Sequence, residues 1–299
     1  MRSATHFLSA LALSAFFNPT ASAQEAEWAV VPEAPAQQLA EHRRISAALD
    51  ALKTQRPGTV DAYVVVVALD ADPVFAREAR EAGRVLASRF DAAGRTIVLA
   101  NDEGSSKADA PGSPQTLMLA LARAAELMDR NEDVLVLYST SHGEPQEGLV
   151  YKDLKRGGGL ISPARLASML NTLGFNNRLL ILQACFAGQF VPALKSAGTI
   201  VVTAAAADRS SFGCQAGNDW TFFGDALINH AFRQPLPLDI QLQRATALIA
   251  AAEGREKLEP SNPQVNTGPD AAKWLSRLEE REPKSTTDPV GQSVLGLGK

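Results

Sequence analysis

Five short runs of almost unbroken apolar residues set the terms for this chain. They are Tyr63 to Leu69, Thr96 to Ala100, Val134 to Thr140, Leu179 to Gln183 and Thr199 to Thr203. Several are rich in Val and Ile, and none shows the polar alternation of a strand with one wet face, so they read as strands of a parallel sheet covered on both sides. Between most of them lie segments with helical spacing. Phe75 to Phe90 places Ala76, Ala79, Ala82, Val85, Leu86 and Phe90 on one stripe, Leu117 to Met128 follows a Ser113–Pro114 cap, and Leu166 to Leu173 follows Ser162–Pro163 and stops at Gly174. Alternation on this scale predicts an α/β fold, a doubly wound, mostly parallel sheet flanked by helices.

The remaining segments are less regular. Leu39 to Leu52 has a partial helical period and ends at Arg56, Pro57 and Gly58; Asn101 to Pro114 is a polar loop; Glu144 to Lys152 reads as a small hairpin; and Lys155 to Gly159 reads as a mobile loop. After the fifth run come a loop over 204–219 and helices over 220–232, 238–257 and 271–280, with a Pro-, Asn- and Gly-rich connector at 259–269. This divides the chain into a signal peptide at 1–23, a leader and first helix at 24–58, a principal domain at 59–235, a helical extension at 236–282 and a disordered tail at 283–299. The signal peptide is read from Arg2, the apolar stretch Phe7 to Phe17, and Ala21, Ser22 and Ala23 before Gln24, with cleavage after Ala23. A bilayer span needs about 20 apolar residues, more than this stretch offers. The expectation is a periplasmic or secreted protein with no membrane span once the signal is removed.

Composition narrows the function. The net charge of −4, from 29 basic and 33 acidic residues, carries no basic stripe with interleaved aromatics, which argues against a nucleic-acid partner. No phosphate-binding GxxxxGK[ST] loop is present, and no cofactor is expected.

The chemistry sits at two strand ends. In a doubly wound sheet ligands bind beyond the carboxyl ends of the strands. The third run ends in Ser139, Thr140, Ser141, His142 and Gly143, and the fourth in Gln183, Ala184 and Cys185, so one rim would carry an imidazole and a thiol. His142 as acid/base and Cys185 as nucleophile is the sharp reading. Glycine at 143 and 188 would let a reacting carbonyl approach backbone N–H donors. The bland readings are a histidine that caps a strand end and a buried cysteine, or a disulfide between Cys185 and Cys214. Neither His142 nor Cys185 has a second His or Cys at ligand spacing, so no metal site is expected.

Those motifs resemble the legumain-type cysteine peptidases and their caspase-like relatives. The segments TAAAADRSSF at 203–212 and Thr221 to Asp225 extend the likeness, which runs from about Tyr63 to His230. The resemblance implies a caspase-haemoglobinase-like fold, a protein or peptide substrate and thiol hydrolysis by His142 and Cys185, with the amides of Gly143 and Cys185 as oxyanion donors. It also implies that Asn101 assists the histidine and that Arg77 and Gln183 shape the pocket for the residue before the scissile bond. Asp219 is a further wall of that pocket, and Thr203, Ala204 and Ala205 offer backbone to an extended substrate. Gln183 stands where legumains carry glutamate, which leaves the choice between acidic and amide side chains open; Arg77 also reads as a solvated helix residue. Lys152, Lys155 and Arg156 beside the glycines offer a place for self-processing. Two rivals remain: a transpeptidase or ligase on the same dyad, and a non-catalytic binding module with the Cys185–Cys214 disulfide.

Overall fold

The computed structural model describes residues 34–101, 107–154 and 157–297. The signal peptide, most of the leader, and the pair Lys155 and Arg156 lie outside the described residues. In chain order the elements are α1 (Pro35–Asp50), β1 (Ala62–Ala68), α2 (Pro73–Arg89), β2 (Thr96–Leu99), α3 (Pro114–Leu127), β3 (Val134–Thr140), β4 (Gly143–Glu144), β5 (Gly148–Asp153), β6 (Gly157–Ile161), α4 (Pro163–Thr172), β7 (Asn177–Gln183), α5 (Val191–Leu194), β8 (Thr199–Thr203), α6 (Phe222–Gly224), α7 (Leu238–Glu256), β9 (Gln264–Thr267) and α8 (Ala271–Glu279).

The main sheet has the order β2-β1-β3-β7-β8-β9. Its first five strands are parallel and β9 closes the far edge antiparallel. Every residue of β1 and β3 is buried, as apolar strands covered on both faces must be. Successive side chains point to opposite faces, and the sheet divides its valines accordingly. Val64 and Val66 join α2, α7 and α8 in one core, while Val65 and Val67 join α3 and α4 in the other. Ser113 caps α3 in a reciprocal box with Thr116, and Ser162 caps α4 through the Arg165 amide. Gly174 ends α4 at φ +73°, a conformation glycine adopts without strain.

Two segments depart from the sequence reading. The glycines at 157–159 form β6, paired with Tyr151, Lys152 and Asp153 of β5 in a small antiparallel sheet. A side chain at 158 would stand 2.9 Å from the Tyr151 carbonyl, so glycine there permits close strand pairing and not merely freedom. The tail expected to be disordered from 283 is instead tied to the body. Val290 exchanges hydrogen bonds with the Asn229 side chain, Ser293 and Val294 both donate to Asp225, and Leu295 is buried. The buried acceptor Asp225 and the apolar Leu295 supply what composition alone does not reveal: a partner surface. Burial alone would raise the Asp225 carboxyl, but donors from His230, Ser293 and Asn229 outweigh it and hold the group below its ordinary range.

Candidate active site

Register places the two strand ends side by side. In the β3–β7 pair the last partners are Thr140 and Gln183, so His142 and Cys185, each two residues further on, emerge at the same level of the rim. The chains touch there. A Cβ built on Gly143 would lie 2.1 Å from the Cys185 carbonyl oxygen and 3.1 Å from the Ala184 Cβ. Only a glycine lets the histidine-bearing segment pass this close to the cysteine.

The imidazole is held from two sides. Its Nε2 lies 3.2 Å from an oxygen of Asp72, and its ring meets Phe75 edge-on at 5.0 Å between centroids. Asp72 in turn has Lys152 Nζ at 3.7 Å, and its amide donates to Asp70. With Nε2 engaged by a carboxylate, Nδ1 is the ring nitrogen left for a thiol. The side chain of His142 stays 39% exposed, open to a substrate. Asp70 is buried, which pushes its carboxyl above the ordinary range against the pull of the Asp72 amide and the neighbouring His142.

The thiol is anchored on its own side. Cys185 Sγ accepts a hydrogen bond from the Ser211 amide at 3.2 Å. The thiol donates in turn to the Ser211 carbonyl at 3.4 Å. Phe186, the next residue, adopts a left-handed φ of 58° and donates its amide to the Arg209 carbonyl, turning the chain sharply after the cysteine. Cys214 is a second free thiol, mostly buried, and burial together with the nearby Cys185 pushes it up to about 12. Both cysteines are free thiols in this structure.

Below the rim lies a buried carboxylate that sequence reasoning passed over. Glu78 of α2 accepts hydrogen bonds from the Tyr138 and Thr140 hydroxyls and from the Thr221 amide and hydroxyl. Burial raises its carboxyl, and these four donors pull against that. The Thr140 hydroxyl also lies 3.0 Å from the side-chain amide of Gln183, which is fully buried. Gln183 therefore sits in the floor beneath Cys185 rather than on an open pocket wall.

Six other predicted positions need correction. Asn101 does not hold the histidine; its carbonyl accepts from Arg80. The strand order explains why: β2 lies beyond β1, so Asp72, which follows β1, stands next to His142 and takes that place. Arg77 and Asp219 do come together, at 3.6 Å, but the guanidinium also donates to the Ala216 and Asn218 carbonyls, so it braces the 216–219 loop. Thr203, Ala204 and Ala205 are buried. The Ala204 amide goes to Leu182, the Ala205 carbonyl accepts from Gly188, and β9 pairs along Thr203, so this backbone is already occupied. A signal for Asp72 was present in the Asp-Ala-Asp that ends the first apolar run, at the carboxyl end where such sheets bind ligands. Ser211 lies in an irregular loop and carries no such signal.

Residues 115–250 match the model described as the Peptidase C13 family. That stretch contains both His142 and Cys185. That match supports a cysteine-type peptidase similar to the legumain family. Asp70, Asp72 and Arg77 lie before the matched stretch. Among solved structures, caspase-1 from Spodoptera frugiperda is similar over 72% of this chain and 92% of its own, at 14% identity and a TM-score of 0.46. No curated protein sequence matches. Among the described residues no helix is long and apolar enough to cross a membrane.

Proposed function

We propose that this protein is an exported cysteine endopeptidase in which Cys185 is the nucleophile and His142 the acid/base. The observation that carries the reading is the meeting of the two strand ends, where Gly143 packs on the Cys185 backbone and the histidine's far nitrogen is held by Asp72. Export rests on Arg2, the Phe7 to Phe17 stretch and the Ala21-Ser22-Ala23 junction.

The chemistry follows from that arrangement. His142 Nδ1 takes the thiol proton while Asp72 stabilises the imidazolium through Nε2. The thiolate, steadied by the Ser211 amide, attacks the peptide carbonyl, and the Gly143 and Cys185 amides stabilise the oxyanion. Collapse breaks the C–N bond, His142 returns the proton to the leaving amine, and a thioester joins the acyl group to Cys185. Water, deprotonated by His142, then releases the acid and restores the thiol.

The test is native-state alkylation with iodoacetamide, adducts located by mass spectrometry, alongside hydrolysis of a peptide library. Rapid labelling at Cys185 that slows in His142→Ala, no labelling of Cys214 near neutral pH, and no hydrolysis by Cys185→Ala are expected. Hydrolysis that persists in Cys185→Ala refutes the reading.

A further inference from the structure

The carboxyl end of β1 and the histidine together form a donor set that the peptidase chemistry does not require. One donor atom each from Asp70, Asp72 and His142 lie within 4.8 Å of one another. Catalysis uses Asp72 and His142; Asp70 has no part in it. Asp70 is 1% exposed, one of its oxygens accepts from the Asp72 amide, and the other, Oδ2, has no hydrogen-bond partner. A buried carboxylate oxygen without a partner is costly. It is explained if a ligand with positive charge occupies the space it shares with the other two.

We infer that Asp70, Asp72 and His142 Nε2 form a binding site for one divalent transition-metal cation of the zinc class. The donor chemistry selects this class. An imidazole with two carboxylates suits Zn²⁺ and its neighbours, while Ca²⁺ and Mg²⁺ take all-oxygen shells. Zinc bonds to nitrogen and oxygen at about 2.0–2.2 Å, which sets tetrahedral donors roughly 3.4 Å apart. The Nε2–Asp72 edge, at 3.2 Å, already has that spacing. The remaining edges need at most a modest closure. Lys152 Nζ lies 3.7 Å from Asp72, and its side chain is half exposed, so it can swing toward solvent as the metal enters. With three protein donors, water completes the shell.

Occupancy has a defined chemical consequence, which rests on the thiol-peptidase reading. A cation on Nε2 displaces the Asp72 contact and fixes the imidazole proton on Nδ1. Nδ1 then cannot accept the thiol proton, and the metal-bound ring is a poor proton donor to the leaving amine. The cation is thus a reversible inhibitor that leaves Cys185 uncoordinated.

The experiment is titration of chelator-treated full-length protein with Zn²⁺ by calorimetry and with Co²⁺ by absorption. One metal per chain is expected, with cobalt bands in the visible and no sulfur-to-cobalt charge-transfer band in the near ultraviolet. Affinity should fall at least about tenfold in Asp70→Asn and in His142→Ala and stay unchanged in Cys185→Ala. His142→Ala changes an exposed side chain, so it remains informative if Asp70→Asn does not fold. A site shared by His142 and Cys185 would show the sulfur band and lose affinity in Cys185→Ala, which overturns the proposal. So does binding weaker than millimolar, or affinity indifferent to Asp70→Asn in a folded variant. Absence of peptidase activity in the metal-free wild type would instead remove the peptidase reading and leave the binding result standing.

Discussion

Replacing Gly143 by alanine tests whether the meeting of the two strand ends is what positions the chemistry. The backbone at 143 does not occupy the positive-φ region, so alanine meets no conformational penalty there; the cost is steric alone. The new methyl would lie 2.1 Å from the Cys185 carbonyl oxygen, roughly 1.3 Å short of ordinary contact at 3.4 Å. The obstacle is backbone on a sheet strand end, with the Ala184 Cβ behind it at 3.1 Å, so neither neighbour can rotate away. One strand end must therefore shift by about 1 Å. Misplacement on that scale costs about 100-fold in rate, or about 2.7 kcal/mol in the barrier. Overpacking adds about 1–3 kcal/mol of destabilisation, a fall in Tm of roughly 3–10 °C for a domain this large. The assays are kcat/KM on a peptide substrate, the rate of Cys185 alkylation and a thermal melt. Gly159→Ala is the control, because a Cβ there meets nothing within 4 Å. If Gly143→Ala keeps kcat/KM and alkylation within about threefold of wild type, contact between the strand ends does not position the dyad.

Three further expectations follow from particular residues. Asp72→Ala removes the acceptor that holds Nε2, so kcat should fall by about 10–100-fold with KM little changed; steady-state kinetics separate the two, and an unchanged kcat would show that the ring is held by other means. Asp133, buried beneath the start of β3, has its carboxyl raised to about 6 by burial, against the pull of the Asp61 and Asp129 amides. A raised carboxyl favours the folded state most below its ordinary range near 3.8, and that contribution is lost as pH rises through about 6. Urea melts of wild type and Asp133→Asn should therefore diverge by about 2–3 kcal/mol between pH 4 and pH 8, with wild type relatively weaker at pH 8, and parallel curves would refute the assignment. Truncation after Asp288 exposes the Leu295 site and strips Asp225 of its Ser293 and Val294 donors, so stability should drop by about 3–5 kcal/mol; an unchanged melting temperature would mean that the tail does not brace the body in solution.

The α/β architecture and the candidate pair were legible before any coordinates, and for a physical reason. A strand covered on both faces has no choice but a continuous apolar run, and a helix packed on such a sheet must repeat its apolar residues every three or four positions. Tyr63 to Leu69 and Val134 to Thr140 satisfy the first condition, and Phe75 to Phe90 the second, so β1, β3 and α2 were written locally. The rule that such sheets bind at their carboxyl ends then singles out His142 and Cys185.

Strand order and the partners of individual polar groups are not local properties. Asn101 and Asp72 both follow an apolar run, and nothing in either run says that β1 rather than β2 lies against β3. That adjacency is decided by which helix covers which face, and it hands the histidine to Asp72. The backbone at Thr203 looked open until β9, some sixty residues later, came back to pair with it. The tail from 283 lacks the apolar content to fold by itself, and it is ordered because Asp225 and Asn229, far away in sequence, present the donors' partners at the right spacing. By itself the sequence determined the sheet, its flanking helices and the two candidate residues at the strand ends, because periodicity and strand-end position are read within a few residues. Only the tertiary structure decided who holds the histidine, why Gly143 must be glycine and where the chain's end is fastened, because each of those depends on contacts between segments that the chain's order does not place together.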